Sequence, residues 1–523
     1  MVKSLFDLSL AEVCRHSLCE DLAFLPCDCK QRLLEFFASH DQINTKKCIS
    51  LMSSPMFGCN LTRIYFYLSD QLTDEILEAL TTYSQNLEQV TIIECPQITD
   101  QGIISATIHQ RRLGRLELRC LYKITSQALK FLKSPYLHSV DLSGCSQIDS
   151  EGIFFLVFNN PSIRHLCLNH CRGLDDQALY DIAHCIGENL NQLELDFLHN
   201  SKMMERGPAI YNLSQRCPNI AHLSLCRFFG DSQSEDELEE PNSQIEYRIE
   251  GLRLREVDLY GNYFTTLPML PPTIRSIRLS VTGQENVLDM VSRLTAQRHL
   301  ITIHLQLVCL EEDARSIENA NTFLCHFIPH LGSKITRLHV TVHRLVDTAL
   351  SLITQSIPNL CHLALDVTHV SPYHLRRLFS GGIYSQGARL RSLKLSRLRI
   401  TYRALFAIGR GARSLIDLET SYMPCVDDRF LVLLAENCKQ LSSVNFNGCK
   451  FVTDKGMAAL ARNCLLKEVR IRGTACTDKS IYVISQFCGE IEWIAHTDFS
   501  GRPKISDKAL KSLRDACIQR VIC

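Results

Sequence analysis

Apolar residues recur along most of this chain at the first, fourth and sixth positions of a short segment, with polar residues between them. Residues 137–145, LHSVDLSGC, give a clear case, in which Leu137, Val140 and Leu142 are the apolar positions. The alternation predicts a short strand with one face in a core. Because the segment returns about every two dozen residues, the sequence predicts a chain of stacked repeats.

The repeat can be followed through about seventeen units. Their first apolar residues are Leu61, Leu87, Leu113, Leu137, Ile163, Leu190, Ile220, Leu254, Ile274, Leu300, Ile335, Leu360, Leu390, Leu415, Leu441, Leu466 and Ile491. This pattern resembles leucine-rich repeats. The resemblance implies an α/β solenoid, a horseshoe of about 17 repeats that occupies residues 59–523 and presents a binding surface.

Each strand is predicted to lead into a helix on the opposite side of the repeat. Segments such as residues 99–103, TDQGI, and residues 453–457, TDKGM, place Thr or Asp directly before an apolar helical period. Such residues cap the first turn of a helix. Thr99 and Thr453 are therefore predicted to be N-caps.

A small polar residue follows the strand where the chain turns inward. In the clearest units this residue is cysteine, at Cys95, Cys145, Cys171 and Cys449. A buried thiol here can bond to the backbone of the turn. We expect Asn262 and Thr474 to do the same in their units, whereas Cys120 lies one residue out of register.

The repeat is least regular in the middle of the chain. The units there vary from about 20 residues, between Leu254 and Ile274, to about 35 before Ile335. One insertion is acidic and poor in apolar residues, DSQSEDELEEPN at residues 231–242. Its composition predicts a mobile acidic loop, residues 228–246, that leaves the solenoid.

Composition narrows the function classes. Lys plus Arg and Asp plus Glu both number 56, so no net field draws the chain toward nucleic acid or an anionic membrane. No apolar run is long enough to cross a bilayer. The 25 cysteines are odd in number and follow no secretory signal, which favours reduced thiols. We expect a cytoplasmic or nuclear protein that binds neither nucleic acid nor membrane.

Residues 1–58 do not fit the repeat and are predicted to form a small helical segment. Ser9 and Glu12 have capping-box spacing, so a helix should begin near Leu10. Along that helix Leu10, Cys14 and Leu18 share one face. Further helices are predicted at residues 30–38, after Leu25-Pro26, and at residues 44–52.

These terminal residues resemble a VHL box. The matching residues are Leu10, Cys14, Leu18, Leu25, Pro26 and Leu33. The resemblance implies that the first helix binds elongin C in the elongin B/C adaptor and that the Leu-Pro segment selects cullin-2. A VHL box ahead of leucine-rich repeats is similar to the Zyg-eleven/Zer-one substrate receptors. Their armadillo repeats have no counterpart here, so their substrate class does not transfer.

An F-box is the alternative for the same segment. Leu25-Pro26, the segment Leu33-Leu34-Glu35-Phe36-Phe37 and Cys48 resemble a degenerate F-box, which implies Skp-one and cullin-1 as partners. An F-box does not need the upstream helix with Leu10, and this helix distinguishes the two. A third possibility is that the helices only cover the first repeat.

Catalytic signatures are missing from the sequence. It contains no phosphate-binding glycine loop, GxSxG elbow or HExxH helix. The group His165, Cys167, His170 and Cys171 does not suit zinc, because the inward Leu166 and Leu168 turn His165 and Cys167 to the opposite face of the strand. We therefore predict no enzyme activity, metal or cofactor.

The sequence instead predicts a protein-binding surface on the concave face of the strands. The candidate substrate-binding residues are Asp417, Glu419, Asn445, Arg470, Arg472 and Trp493. They combine both charges with the single tryptophan, as binding hot spots often do. The predicted function is substrate recognition in a cullin-RING ubiquitin ligase. The alternative from another class is a non-catalytic repeat scaffold or inhibitor.

Overall fold

The computed structural model describes residues 22–39, 42–59, 61–198, 201–229, 248–262, 264, 266–281, 286–308, 314–381, 385–497, 499 and 504–517. The chain divides into two compact units, Lys3–Ile274 and Arg275–Cys523. Leu10, Cys14, Leu18 and nearly all of the acidic loop lie outside the described residues.

The first unit begins with helices and continues as strand-helix repeats. Its strands are β1 (Arg63–Tyr67), β2 (Gln89–Ile93), β3 (Arg115–Arg119), β4 (Ser139–Asp141), β5 (His165–Cys167), β6 (Gln192–Glu194), β7 (His222–Ser224) and β8 (Glu256–Leu259). Its helices are α1 (Cys27–Ser39), α2 (Lys46–Met52), α3 (Pro55–Gly58), α4 (Asp74–Thr81), α5 (Asp100–Thr107), α6 (Ser150–Asn159), α7 (Asp176–Cys185) and α8 (Arg206–Arg216), with a 3₁₀ turn at Ser126–Leu129.

The second unit repeats the same arrangement. Its strands are β9 (Ser276–Val281), β10 (Thr302–Leu307), β11 (Arg337–Arg344), β12 (His362–His369), β13 (Ser392–Leu395), β14 (Asp417–Glu419), β15 (Ser443–Asn445), β16 (Glu468–Arg470) and β17 (Trp493–Ala495). Its helices are α9 (Val287–Thr295), α10 (Ala314–Leu331), α11 (Asp347–Ser356), α12 (Pro372–Leu378), α13 (Tyr402–Gly411), α14 (Asp428–Asn437), α15 (Asp454–Asn463), α16 (Asp478–Phe487) and α17 (Asp507–Ala516), with a 3₁₀ turn at Gln386–Arg389.

Parallel pairing in each unit aligns the apolar residues of successive repeats. In the first unit Ile64 is in register with Val90, and Val90 with Leu116. In the second, Leu418 is in register with Val444, which pairs with Val469. All of these side chains are buried between strands and helices. Each predicted unit contributes one strand among the described residues, so the α/β repeat prediction is confirmed.

Hydrogen bonds also link successive helices. The first residue of one helix accepts bonds from the N-cap residue of the next repeat. Asp454, for example, accepts from the backbone nitrogen and hydroxyl of Thr477 at 2.8 and 2.7 Å, and from Ser480. These bonds hold the pKa of Asp454 below its usual value despite the opposing effect of burial. We call this series the aspartate ladder; it also contains Asp74, Asp100, Asp428 and Asp478.

The inward turn is built as the sequence predicted. Cys145 and Cys449 donate from Sγ to the carbonyls of Leu118 and Thr420 in the preceding repeat, at 3.2 and 3.0 Å. Burial raises the pKa of these thiols to about 12 and about 11, so they remain protonated donors at neutral pH. Asn262 performs this role with four bonds.

The residue before this buried position turns the chain in a left-handed conformation. We call these positions the corner residues. They include Cys120, Gly144, His170, Tyr422, Gly448 and Gly473. Cys120 lies out of register because it occupies the corner (φ 52°), and Leu121 takes the buried position.

Candidate functional site

The N-terminal segment carries the described part of the predicted adaptor site. Helix α1 begins directly after Pro26, which is exposed, and Leu25 is half-buried. The neighbouring Phe24 is 70% exposed. Leu33 is fully buried. A partner can therefore contact Leu25 and Pro26 in this arrangement, whereas it reaches Leu33 only if α1 moves.

A buried lysine joins α1 to α3. Lys30 has no exposed surface, and its Nζ donates to the carbonyls of Met56 and Phe57 at 2.7 and 3.0 Å. The same ammonium lies 5.3 Å from the centre of the Phe57 ring. Burial lowers the pKa of Lys30. The charge is stabilised where it meets carbonyls at the end of a helix.

Helix α1 also covers the first strand. Gln31 Nε2 donates to the Tyr65 carbonyl of β1 at 3.3 Å, and Asp28 forms an ion pair with Arg63. A groove of about 510 Å³ runs between this helix and β1 and is lined by Asp28, Arg32, Glu35 and Tyr65. The helix therefore acts as a cap, while its outer side remains open to a partner.

The candidate substrate residues lie on the face of the second unit's strands that is opposite the helices, which we call the strand face. Asp417 is in register with Ser443, Glu468 and Trp493, and Glu419 with Asn445 and Arg470. The structure brings Arg470 and Trp493 together, with the guanidinium carbon 4.5 Å from the ring centre. Arg470 also pairs with Glu468 at 3.5 Å.

The remaining candidates differ in their exposure and in the hydrogen bonds that they already make. Glu419 accepts hydrogen bonds from Ser396 and Ser421, both at 3.2 Å. Asn445 is only 8% exposed and accepts from the backbone of Asn447. Asp417 accepts from Ser392 at 2.7 Å, and the side chain of Arg472 is exposed. Asp417, Glu419, Arg470, Arg472 and Trp493 thus form the accessible part of this set, whereas Asn445 is buried.

A hollow of about 380 Å³ adjoins Glu419 and was missed by sequence reasoning. It is lined by His339, Asp366, Lys394, Arg397, Glu419 and Tyr422. It combines cationic and anionic side chains with an aromatic edge, which suits a polar peptide segment. The sequence signal was present, since His339, Lys394 and Glu419 occupy the same strand-face position of their units.

An aromatic stack borders this hollow. The rings of Tyr422 and Phe499 lie 5.5 Å apart at 23°, and the Arg397 guanidinium lies 5.7 Å from the centre of the Tyr422 ring. The corner glycine Gly448 makes room for this stack, because a Cβ there would come within 2.6 Å of the Tyr422 ring. Tyr422 and Phe499 remain 46% and 58% exposed.

Two stacked histidines lie in the second unit on β10 and β11. The rings of His304 and His339 are 3.7 Å apart at 17°, and Arg278 is in register with His304. Burial, His339 and Arg278 lower the pKa of His304 to about 3. Burial also lowers the pKa of His339, with Arg278 and Lys394 acting in the same direction and Asp366 against it. Both imidazoles are therefore neutral at pH 7.

Acidification should destabilise the protein through this pair. Because the folded pKa values lie below that of a free histidine, the unfolded chain binds protons first as the pH falls below about 6.5. We expect the free energy of unfolding to fall by about 1 kcal/mol between pH 7 and pH 5, after allowing for partial solvent screening. Thermal unfolding measured at both pH values should show a smaller loss of stability in the double variant His304→Gln/His339→Gln than in the wild type. An equal loss of stability in the wild type and this variant would contradict the assignment. His138→Gln, which alters an exposed histidine, is the control.

In the described part of the chain, no group of three or more His, Cys, Asp or Glu side chains is placed to hold a metal ion. Within the same ranges, no helix has both the length and the apolar character needed to cross a membrane.

Comparison with known proteins supports the fold. The family model described as Leucine Rich repeat matches residues 133–157 and 437–461. The fold is a leucine-rich-repeat solenoid. The described strands and helices carry the same repeat through both units.

Individual relatives are distant. The chain is similar to F-box/LRR-repeat protein 4 of Bos taurus, with 23% identity over 199 residues, 36% of this chain and 31% of that protein. The matched segment thus spans about a third of that relative.

Among solved structures, the chain is similar to the yeast Rad7 and Elc1 complex (16% identity, 97% of this chain and 96% of that chain, TM-score 0.34). It is also similar to the TLR13-ssRNA13 complex (13% identity, 87% and 64% covered, TM-score 0.41).

Proposed function

We propose that this protein is the substrate-recognition subunit of a ubiquitin ligase. Residues 1–58 would bind the adaptor, and the strand face around Glu419, Arg470 and Trp493 would bind a substrate protein. The observation that carries the proposal is a helical cap with exposed Phe24 and Pro26 ahead of a repeat array that offers a separate polar and aromatic surface. The similarity to an F-box/LRR-repeat protein is consistent with it.

The chain supplies no acid, base or nucleophile in this proposal. It would hold a substrate near a recruited ubiquitin-loaded enzyme, so its contribution to the reaction would be proximity. The cysteines at the inward turns, such as Cys145, Cys171 and Cys449, are free thiols, which fits a reducing compartment such as the cytosol or nucleus.

Two adaptors compete for the same segment. The spacing of Leu10, Cys14 and Leu18, followed by Leu25-Pro26, favours elongin B/C with cullin-2. The name of the bovine relative favours the alternative, an F-box that binds Skp-one and cullin-1. Leu25 and Pro26 belong to both motifs, whereas Leu10 and Cys14 belong only to the first.

Capture of purified adaptors by the full-length protein tests the proposal. We expect binding to elongin B/C with cullin-2, and loss of that binding in Leu10→Ser/Cys14→Phe. Ile108→Ser, which alters an apolar side chain that is 45% exposed on the repeats, is the matched control and should bind normally. Capture of Skp-one with cullin-1, unaffected by the Leu10/Cys14 change, would select the F-box alternative. Failure to capture either adaptor would leave a repeat scaffold or inhibitor.

A further inference from the structure

Helix α6 carries aromatic residues on the side that faces away from the core. Ile153, Leu156 and Val157 are buried against the sheet, as the repeat requires. On the other side, Phe154 and Phe158 are 36% and 65% exposed. A helix that is apolar on both sides is normally buried on both sides. The outer side of α6 therefore has the character of a covered surface.

The exposed rings form one continuous patch with a residue of the preceding repeat. The Phe154 ring stacks on Phe158 at 5.4 Å and lies 6.0 Å from Phe155. Lys130 Nζ lies 5.7 Å from the centre of the Phe155 ring and 5.9 Å from that of Phe131, which is 56% exposed. We call Phe131, Phe154, Phe155 and Phe158 the phenylalanine patch.

Equivalent helices are polar at this place. Counting from the first helical residue, the positions that match Phe158 are His184 in α7, Glu436 in α14, Arg462 in α15 and Gln486 in α16. Repeat architecture therefore does not require an apolar residue at Phe158. Exposed aromatic clusters of this kind are typical of protein interaction sites, where aromatic residues contribute much of the binding energy.

The charges beside the patch indicate what covers it. Lys130 and Lys133 are exposed, and in the described part of the chain neither forms an ion pair with a carboxylate. Glu151 is the acidic residue on the same side of α6, one turn before Phe154. A second copy of this chain, related by a twofold axis through the patch, would bring the lysines of both copies together. A partner with carboxylates matches the lysines better.

We propose that the phenylalanine patch binds an amphipathic helix of a partner protein. The apolar stripe of that helix would cover Phe154 and Phe158, and its acidic residues would lie beside Lys130 and Lys133. This surface is on the helix side of the first unit and shares no residue with those assigned to adaptor and substrate. The patch is thus a third interaction surface of the chain.

Selection from a display library of helical peptides against the full-length protein tests this proposal. We expect enriched peptides to carry aromatic residues or leucine at i, i+4 spacing with Asp or Glu beside them. A soluble peptide of the enriched sequence should bind at least tenfold more weakly to Phe154→Ser/Phe158→Ser. Tyr180→Ser/His184→Ser, at the matching positions of α7, is the control and should bind normally.

A second variant keeps the aromatic patch intact. Lys130→Glu/Lys133→Glu should weaken the acidic peptide at least tenfold and should select basic peptides instead. Enrichment of basic or uncharged peptides by the unaltered protein, no enrichment, or equal binding to the phenylalanine variant would overturn the proposal. Light scattering of the full chain tests whether a second copy covers the patch instead. A dimer that disappears in Phe154→Ser/Phe158→Ser would identify a second copy as the occupant and would overturn the proposal.

Discussion

Replacing Asn262 with leucine is expected to lower the free energy of unfolding by about 4 kcal/mol. The side chain is fully buried and makes four hydrogen bonds to backbone groups. Its Oδ1 accepts from the nitrogens of Phe228 and Phe229, and its Nδ2 donates to the carbonyls of Leu225 and Leu259. Leucine has a similar size but cannot form these four bonds, and each buried hydrogen bond contributes about 1 kcal/mol.

Urea unfolding followed by circular dichroism measures this loss, and hydrogen exchange locates it. The amide protons of Phe228 and Phe229 should exchange much faster in Asn262→Leu. Cys449→Ala is the matched control, because the Cys449 thiol at the equivalent position donates to the Thr420 carbonyl at 3.0 Å and makes only a long contact of 4.0 Å with the Asn447 carbonyl. It should cost about 1 kcal/mol. If the two variants lose the same amount, the network around Asn262 does not stabilise the turn as described.

Replacing Lys30 with methionine is expected to cost about 2 kcal/mol and to loosen the helices before the first repeat. Methionine retains most of the buried volume but cannot donate to the carbonyls of Met56 and Phe57. The change also removes the cost of burying a charge, so the net loss is smaller than for Asn262. Hydrogen exchange should rise in α1 and α3, while the later repeats keep their protection.

Lys46→Met provides the control for this change. Lys46 lies at the start of α2 in the same segment, and its side chain is exposed. We expect no measurable change in stability or exchange for this variant. Equal protection of α1 in Lys30→Met and the wild type would show that packing of Leu33, Leu34 and Phe37 alone holds this helix.

The repeats were predictable because their signals are local. Val140 and Leu142 reveal a strand by alternation, and Thr99 reveals a helix start by its place before an apolar period. The function of Asn262 at the turn was readable for the same reason. The pattern that reveals each feature lies within one repeat, although the bonds of Asn262 reach the preceding repeat, so a single sequence contains the signal.

Features that join distant repeats were not predictable in the same way. The stack of Tyr422 on Phe499 forms because Gly448 leaves room for it. It needs the left-handed turn at two corner residues, Tyr422 and Gly448. The hollow beside Glu419 depends on the register of β11 to β14. The burial of Leu33 follows from packing of α1 on β1, which periodicity alone does not separate from a partner-binding face.

The aspartate ladder gives the array a direction. Each aspartate belongs to one repeat, but the N-terminal turn that it satisfies belongs to the following repeat. Removing repeats from the carboxyl end leaves the last aspartate exposed to water, which solvates a carboxylate well. Removing them from the amino end takes the carboxylate away from the N-cap residue of the helix that follows, whose backbone nitrogen and hydroxyl donate to it. Each repeat is thus stabilised by the repeat before it, so removing repeats from the amino end should destabilise the remaining protein more than removing them from the carboxyl end.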